Sequence, residues 1–192
     1  MHTKNDISVY ILCGGLSTRM QEEKGLVVFK GKTFIEHIIE AVKPITQNIV
    51  LVTKNEKYKQ FGFPLVADIY ENKGPVGAIY SALNHSKDEF NLILSCDIPN
   101  ITTTVLNNYL LKTISESEIS YLVDNQSEYP LIGVYSKKTT STFKDAIANN
   151  ELKLLDLIKS LDYNIITIRT KDRNAVKNVN SKEELQHLSL KK

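Results

Sequence analysis

The chain has 192 residues, 42% of them hydrophobic and 24% charged, which is enough apolar material for one core of ordinary domain size. Lys and Arg number 24 against 22 Asp and Glu, and a net charge of +2 excludes a nucleic-acid protein held by a general basic field. Two cysteines, Cys13 and Cys96, are too few for a disulfide framework and lack metal-ligand spacing. With no signal-peptide pattern and no apolar run of membrane-spanning length, they predict a cytoplasmic protein in a reducing compartment, with no membrane partner.

Short apolar runs alternate with helical patterns along the first hundred residues. "ISVYIL" (7–12), "NIVLVT" (48–53), "PLVAD" (64–68) and "FNLILSCD" (90–97) read as buried strands, continuous in apolar residues and closed by a polar one. "TFIEHIIEAV" (33–42) sets Phe34, Ile38 and Val42 on one helical face, and Thr33 with Glu36 forms a capping box. "GPVGAIYSALNHS" (74–86) reads as a second helix, with Pro75 suited to a first helical position. In the second half, 119–124, 129–136 and 163–169 predict strands, while 102–114, 140–150 and a capped segment at 181–190 predict helices. No Pro-, Gly- or Ser-rich linker divides the halves. The expectation is therefore one α/β domain over residues 1–192, with a mostly parallel sheet covered by helices on both faces.

Ligands of such sheets lie outside the carboxyl ends of the strands, so the residues there carry the functional question. The first strand runs into Leu12-Cys13-Gly14-Gly15, followed by Ser17, Thr18, Arg19 and Lys24. Paired glycines let backbone N–H groups approach a phosphate or a base, and the two cations balance negative oxygens. Two familiar phosphate loops are excluded. Gly31-Lys32-Thr33 imitates the end of a Walker A loop, but the first required glycine falls on Leu26, and no G-x-G-x-x-G follows the first strand. Asp68 and Asp97 close the third and fourth apolar runs, where a carboxylate must be exposed, hydrogen-bonded or metal-bound. Mg²⁺ is held by one or two carboxylates plus substrate phosphates, and Asp97 is the better metal candidate because its strand is expected beside the first. The four histidines (His2, His37, His85, His187) are scattered, with nothing to suggest ligands.

Together these residues form a recognisable pattern. "ILCGGLSTRMQEEKGL" resembles the L-x-G-G-x-S-x-R-M-G-x-D-K loop of the molybdenum cofactor guanylyltransferases and related nucleotidyltransferases. "GPVGAIYSAL" (74–83), "LSCDIP" (94–99) and "VKNVNSKEEL" (176–185) are similar to that family's G-P-L-A-G, C-D-x-P and closing N-V-N-T-P-E-E-L segments. The motifs fall in the family's order and span almost the whole chain.

The resemblance implies a three-layer, Rossmann-like nucleotidyltransferase fold. It implies transfer of GMP from GTP to the terminal phosphate of molybdopterin, with release of pyrophosphate and with Mg²⁺ as cofactor. The backbone around Leu12, Cys13, Gly14 and Gly15 would read guanine and cradle phosphate, and Lys24 with Arg19 would neutralise the triphosphate. Asp68 would hold the nucleoside end, Asp97 would bind Mg²⁺ and ribose or phosphate, and Asn178 and Asn180 would support the molybdopterin or metal site. Where the family often has an asparagine after the second strand, this chain has Thr53, whose hydroxyl is the expected substitute. Partners implied are GTP, molybdopterin and other molybdenum-cofactor proteins or acceptor molybdoenzymes, with no nucleic acid.

The chain departs from the pattern at Gln21, in place of glycine, and at Glu23, in place of aspartate. Two other readings share most of the same residues: a cytidylyl or sugar-phosphate nucleotidyltransferase, and a GTP- or molybdopterin-binding protein without turnover. Cys13 and Cys96 are expected at the ends of neighbouring strands and read first as two small core residues; the alternative is that modification of Cys13 would crowd the loop and impair GTP binding.

Overall fold

The computed structural model describes residues 7–14, 16–17, 22–114, 117–181 and 183–186. Seven strands form the central sheet: β1 (Ile7–Leu12), β2 (Ile49–Val52), β3 (Leu65–Val66), β4 (Phe90–Ser95), β5 (Ile119–Val123), β6 (Glu128–Ser136) and β7 (Tyr163–Thr167). Their order is β7-β5-β6-β4-β1-β2-β3, with β1 at the centre of the parallel half. β1 pairs in parallel with both β4 and β2, Leu12 facing Ser95 on one side and Val52 on the other. Only β6 runs against the rest, antiparallel to β4 and to β5. The expected mostly parallel sheet is thus present. Its reversal comes from the hairpin between β5 and β6, where Asp124 Oδ1 accepts the N–H groups of Gln126 and Ser127 and closes a tight turn.

The central strands β1, β2, β4 and β5 are buried on both faces, which is why they read as unbroken apolar runs, while the edge strand β7 alternates between exposed and half-buried residues. On one face lies α1 (Phe34–Val42), begun by the Thr33–Glu36 capping box and presenting Ile35, Ile38 and Ile39 to Val9, Ile11 and Leu51. On the other lie α2 (Gly74–His85), α3 (Thr140–Ala148) and α4 (Leu154–Lys159), whose Ile79, Leu83, Phe143 and Ile158 pack against Tyr10, Val50 and Ile93. The sequence pattern gave no sign of α4, which is only six residues long.

Several boundaries differ from expectation. β3 stops at Val66 and β4 at Ser95, so Asp68 and Asp97 each stand two residues past a strand rather than at its end. The helix expected over 102–114 is an irregular helical run, Thr103–Thr113, with a wide turn over Leu106–Leu110 where the Leu111 N–H reaches both Leu106 and Asn107 carbonyls. At the carboxyl end the described helical turn covers residues 183–186, and the remainder of the predicted helix falls outside the described residues. No helix among the described residues is long and apolar enough to cross a membrane.

Candidate active site

β1, β4 and β2 end together, and their last residues open onto a cavity of about 470 Å³. The strands hand over to it by continuing their ladders one residue further: the Cys13 N–H donates to Val52 O at 3.0 Å and the Cys96 N–H to Leu12 O at 3.2 Å. Leu12, Gly14, Lys24, Asp68 and Asp97, all singled out from sequence, line this cavity. Sequence reasoning missed Val52, Asn72, Ser95 and Leu131, which line it too. Val52 and Ser95 follow from the register with Leu12, whereas Leu131 arrives on the antiparallel β6, whose placement no local pattern announces.

Lys24 reaches the cavity through a short hairpin. Leu16–Ser17 pairs antiparallel with Glu22–Glu23, and a 3₁₀ turn, Lys24–Leu26, follows directly. Gly15 and Arg19, expected in the loop, lie outside the described residues, as does Gln21. The Lys24 ammonium lies 2.9 Å from Asp97 Oδ2 and donates to Asn180 Oδ1 at 2.5 Å. One side chain therefore ties together the opening loop, the "CDIP" segment and the closing "NVN".

Asp97 is nearly buried, and its second oxygen, Oδ1, has no hydrogen-bond partner among the described residues. A buried carboxylate oxygen left unpaired is costly, and it is relieved when a cation or a donor arrives. The backbone behind it is fixed, because the Val179 N–H donates to Asp97 O at 2.8 Å. Val179 is itself held in a small apolar cluster with Val27, Phe29 and Phe34. Beyond it, the Glu184 carboxylate accepts the Asn180 N–H at 2.6 Å while Ser181 Oγ accepts the Glu184 N–H at 3.2 Å, so the predicted cap at Ser181 also fastens Asn180.

Asp68 lies on the exposed lip, in the loop between β3 and α2. Desolvation pushes its carboxyl above the ordinary value, against the Lys54 ammonium, which pulls it down, while the Glu71 carboxylate adds to the rise. Lys54 is paired with Glu71 at 2.9 Å. The loop lies close on α2: a Cβ at Gly77 would stand 2.8 Å from Lys73 Cβ and 3.2 Å from the Tyr70 carbonyl, so a side chain there would lift the lip.

Four predicted residues, Thr53, Cys13, Asn178 and Asn180, are not among those lining the cavity, Asn180 meeting it only through Lys24. Thr53 is buried; its N–H donates to Val66 O and its hydroxyl accepts the Asn55 N–H at 3.1 Å, starting the next turn. Cys13 is buried beneath the strand end, its thiol donating to Ile11 O at 3.4 Å. Asn178 lines a second cavity of about 460 Å³ with Asp124, Tyr129, Arg173 and Lys177. The "NVN" segment thus has one asparagine on each side of Val179, one facing the second cavity and one bonded to Lys24 of the first. No group of three or more His, Cys, Asp and Glu side chains among the described residues could hold a metal ion.

A family model described as the MobA-like NTP transferase domain matches residues 9–163. A protein of Flavobacterium johnsoniae named "Probable molybdenum cofactor guanylyltransferase" is 45% identical over 184 residues, covering 96% of this chain and 97% of that one. A protein of Photobacterium profundum named "Molybdenum cofactor guanylyltransferase" is 30% identical over 190 residues, covering 97% of each. Among solved structures, molybdopterin-guanine dinucleotide biosynthesis protein A from Archaeoglobus fulgidus shares the fold with a TM-score of 0.81 at 21% identity, over 95% of this chain and 96% of that one.

Proposed function

The chain belongs to the MobA-like NTP transferase family, and from that premise we propose that its single domain transfers GMP from GTP to the terminal phosphate of molybdopterin in the cytoplasm. An oxygen of that phosphate attacks the α-phosphorus of GTP. The new P–O bond forms as the bond to the β-phosphate bridging oxygen breaks, and pyrophosphate leaves with the electron pair. No side-chain nucleophile is required, because the acceptor phosphate already carries negative oxygens. The protein's share is positioning and charge neutralisation.

The observation that carries this reading is the junction at Lys24. Its ammonium has three donors, and two are directed to Asp97 and Asn180. Among the described residues the third has no acceptor, and it would be offered to a phosphate oxygen in the cavity that Lys24 and Asp97 line. GTP would lie across the ends of β1 and β4, its base near the Leu12–Gly14 backbone, Asp68 accepting from donors of the nucleoside, and Gly15 and Arg19 completing the phosphate contacts. Molybdopterin would take the second cavity, where Lys177 offers a donor and Asn178 marks the way toward Lys24.

Asp97 fits a Mg²⁺ ion brought in with the nucleotide, because its Oδ1 is buried and lacks a partner among the described residues. Mg²⁺ commonly takes one or two carboxylates and completes its shell with phosphate oxygens and water. When bound there, the ion would draw negative charge from the phosphate oxygens.

Calorimetric titration with GTP and with CTP, each with Mg²⁺, followed by a pyrophosphate-release assay with molybdopterin, tests the proposal. GTP is expected to bind more tightly, and pyrophosphate to appear only when molybdopterin is added. Tighter CTP binding would favour a cytidylyltransferase, and GTP binding without release would favour a protein that binds without turnover.

A further inference from the structure

Below the strand ends, on the face of the sheet that α1 covers, stands a phenol that the mechanism does not use. Tyr58 is fully buried in a 3₁₀ helix, Glu56–Phe61, that follows β2. The helix is pinned at its start: Asn55 donates its N–H to Thr53 Oγ1, and Asn55 Oδ1 accepts the Lys57 N–H at 2.9 Å. The ring belongs to the core cluster that also holds Cys13 and Cys96, the residues directly after Leu12 and directly before Asp97. The Glu23 side chain stands near enough to act as an acceptor for its hydroxyl, although neither that hydroxyl nor the buried Oε2 of Glu23 makes a close hydrogen bond among the described residues. Burial, with the fields of Cys13, Cys96 and Glu23, pushes the phenol up, so it stands there as a neutral OH.

What the hydroxyl does touch is the segment that carries Lys24. A Cβ built on Gly25 would lie 2.5 Å from the Tyr58 hydroxyl oxygen, with the ring carbons Cε1 and Cζ at 3.1 and 3.2 Å. The backbone one residue past Lys24 therefore rests on the tip of this ring, and only a glycine lets it come so close. Lys24 has to span from that backbone to both Asp97 and Asn180. We infer that the Tyr58 phenol is the seat that sets the height of Lys24 above the cavity, which makes Tyr58 a positioning residue for phosphate contact, acting through Gly25. The inference rests on the proposed role of Lys24. It also gives the buried Thr53 a part at one remove, as the anchor of the turn that holds Tyr58.

The contact makes a prediction that packing alone does not. Adding a methyl at Gly25 collides first with an oxygen that Phe lacks, so the two positions should be coupled in turnover. We expect G25A to lower kcat for GMP transfer about a hundredfold, the scale of an ångström misplacement in an active site, and Y58F to lower it roughly tenfold. The double variant G25A/Y58F should recover about tenfold over G25A, because the new methyl occupies space the hydroxyl has vacated. KM for GTP should move less than kcat in all three variants. The melting temperature of Y58F should change little, since the hydroxyl removed makes no close hydrogen bond among the described residues. Equal losses from G25A with and without Y58F, or losses confined to melting temperature with kcat intact, would overturn the inference. K24A, assayed alongside, separates the two levels. Near-wild-type turnover in K24A defeats the proposed function, whereas lost turnover in K24A without Gly25–Tyr58 coupling defeats only the seat.

Discussion

Two ion pairs of nearly equal length do opposite work in this molecule. Lys24–Asp97 spans 2.9 Å and Arg173–Asp124 spans 2.8 Å. Asp124 is saturated: besides Arg173 Nε, its carboxylate accepts the Tyr129 hydroxyl and the N–H groups of Gln126 and Ser127. The Arg173 hydrogen bond first, and then the backbone and Tyr129 donors, hold it well below the usual carboxylate range. Arg173 also donates to Gln126 Oε1, so this pair stitches the β5–β6 turn to the segment leading into "NVN". Asp97, by contrast, keeps one buried oxygen without a partner among the described residues, and among them Lys24 has only two acceptors. A saturated pair fastens backbone; an unsaturated pair at a cavity is left ready for a ligand.

The sharpest way to break that comparison is to remove each partner and ask whether activity or stability suffers. Lys24→Ala and Asp97→Ala should each lower turnover a hundred- to a thousandfold, on the order of 3–4 kcal/mol of lost electrostatic stabilisation, while circular dichroism shows both folded. Near-wild-type turnover in either would end the mechanism. Asp124→Asn should instead cost stability, about 1.5–3 kcal/mol in urea denaturation, because it weakens a charge-assisted network with four donors. The contrast fails if Asp124→Asn is no more destabilising than Asp97→Asn.

A pH series sharpens the same contrast by a smaller effect. The folded Asp124 carboxyl titrates below its unfolded value of about 3.9, so its stabilisation is fully present above that value and is lost as pH falls through the folded one. The stability gap between wild type and Asp124→Asn should therefore be constant from neutrality down to about pH 5 and narrow below it. A gap that widens on acidification would show that the network does not act through the charged carboxylate.

What the sequence made legible follows from the range of the interactions involved. The central strands announced themselves because burial on both faces demands unbroken apolar runs, and the Thr33–Glu36 and Ser181–Glu184 caps because their partners are three residues apart. Leu12, Gly14, Lys24, Asp68 and Asp97 were legible as cavity residues because strand ends in a parallel half-sheet converge. Leu131 was not, since it depends on β6 reversing direction between β4 and β5. Nor was Tyr58, which reads as an ordinary aromatic between lysines until Gly25 is brought against it from 33 positions away. Thr53 shows a competing claim: its hydroxyl, expected toward a nucleotide, accepts the Asn55 N–H of the local turn. Local chemistry competes for short polar side chains, and one-dimensional pattern cannot tell which claim wins.

The cysteines yield the smallest expected effect and a clean test of how tightly the strand ends are closed. Both follow the last residues of adjacent strands, and both side chains are buried in the core, as small residues there are expected to be. Burial pushes the Cys13 thiol well above its ordinary value, with Cys96 and Glu23 adding to the rise. Burial likewise pushes Cys96 up to about 12, reinforced by Asp97 and opposed by Lys24. The thiolate is the reactive form, so at pH 8 neither residue offers a reagent much to attack. Iodoacetamide should leave the native protein unlabelled over hours and label both cysteines once it is unfolded in urea, with mass spectrometry counting the adducts. Modification of Cys13 would crowd the loop, but only in molecules whose strand ends have already opened. Native-state labelling at the rate of the unfolded chain would mean that the ladder from Cys13 to Val52 and from Cys96 to Leu12 opens readily. A cavity built on those same residues would then need its nucleotide to close it.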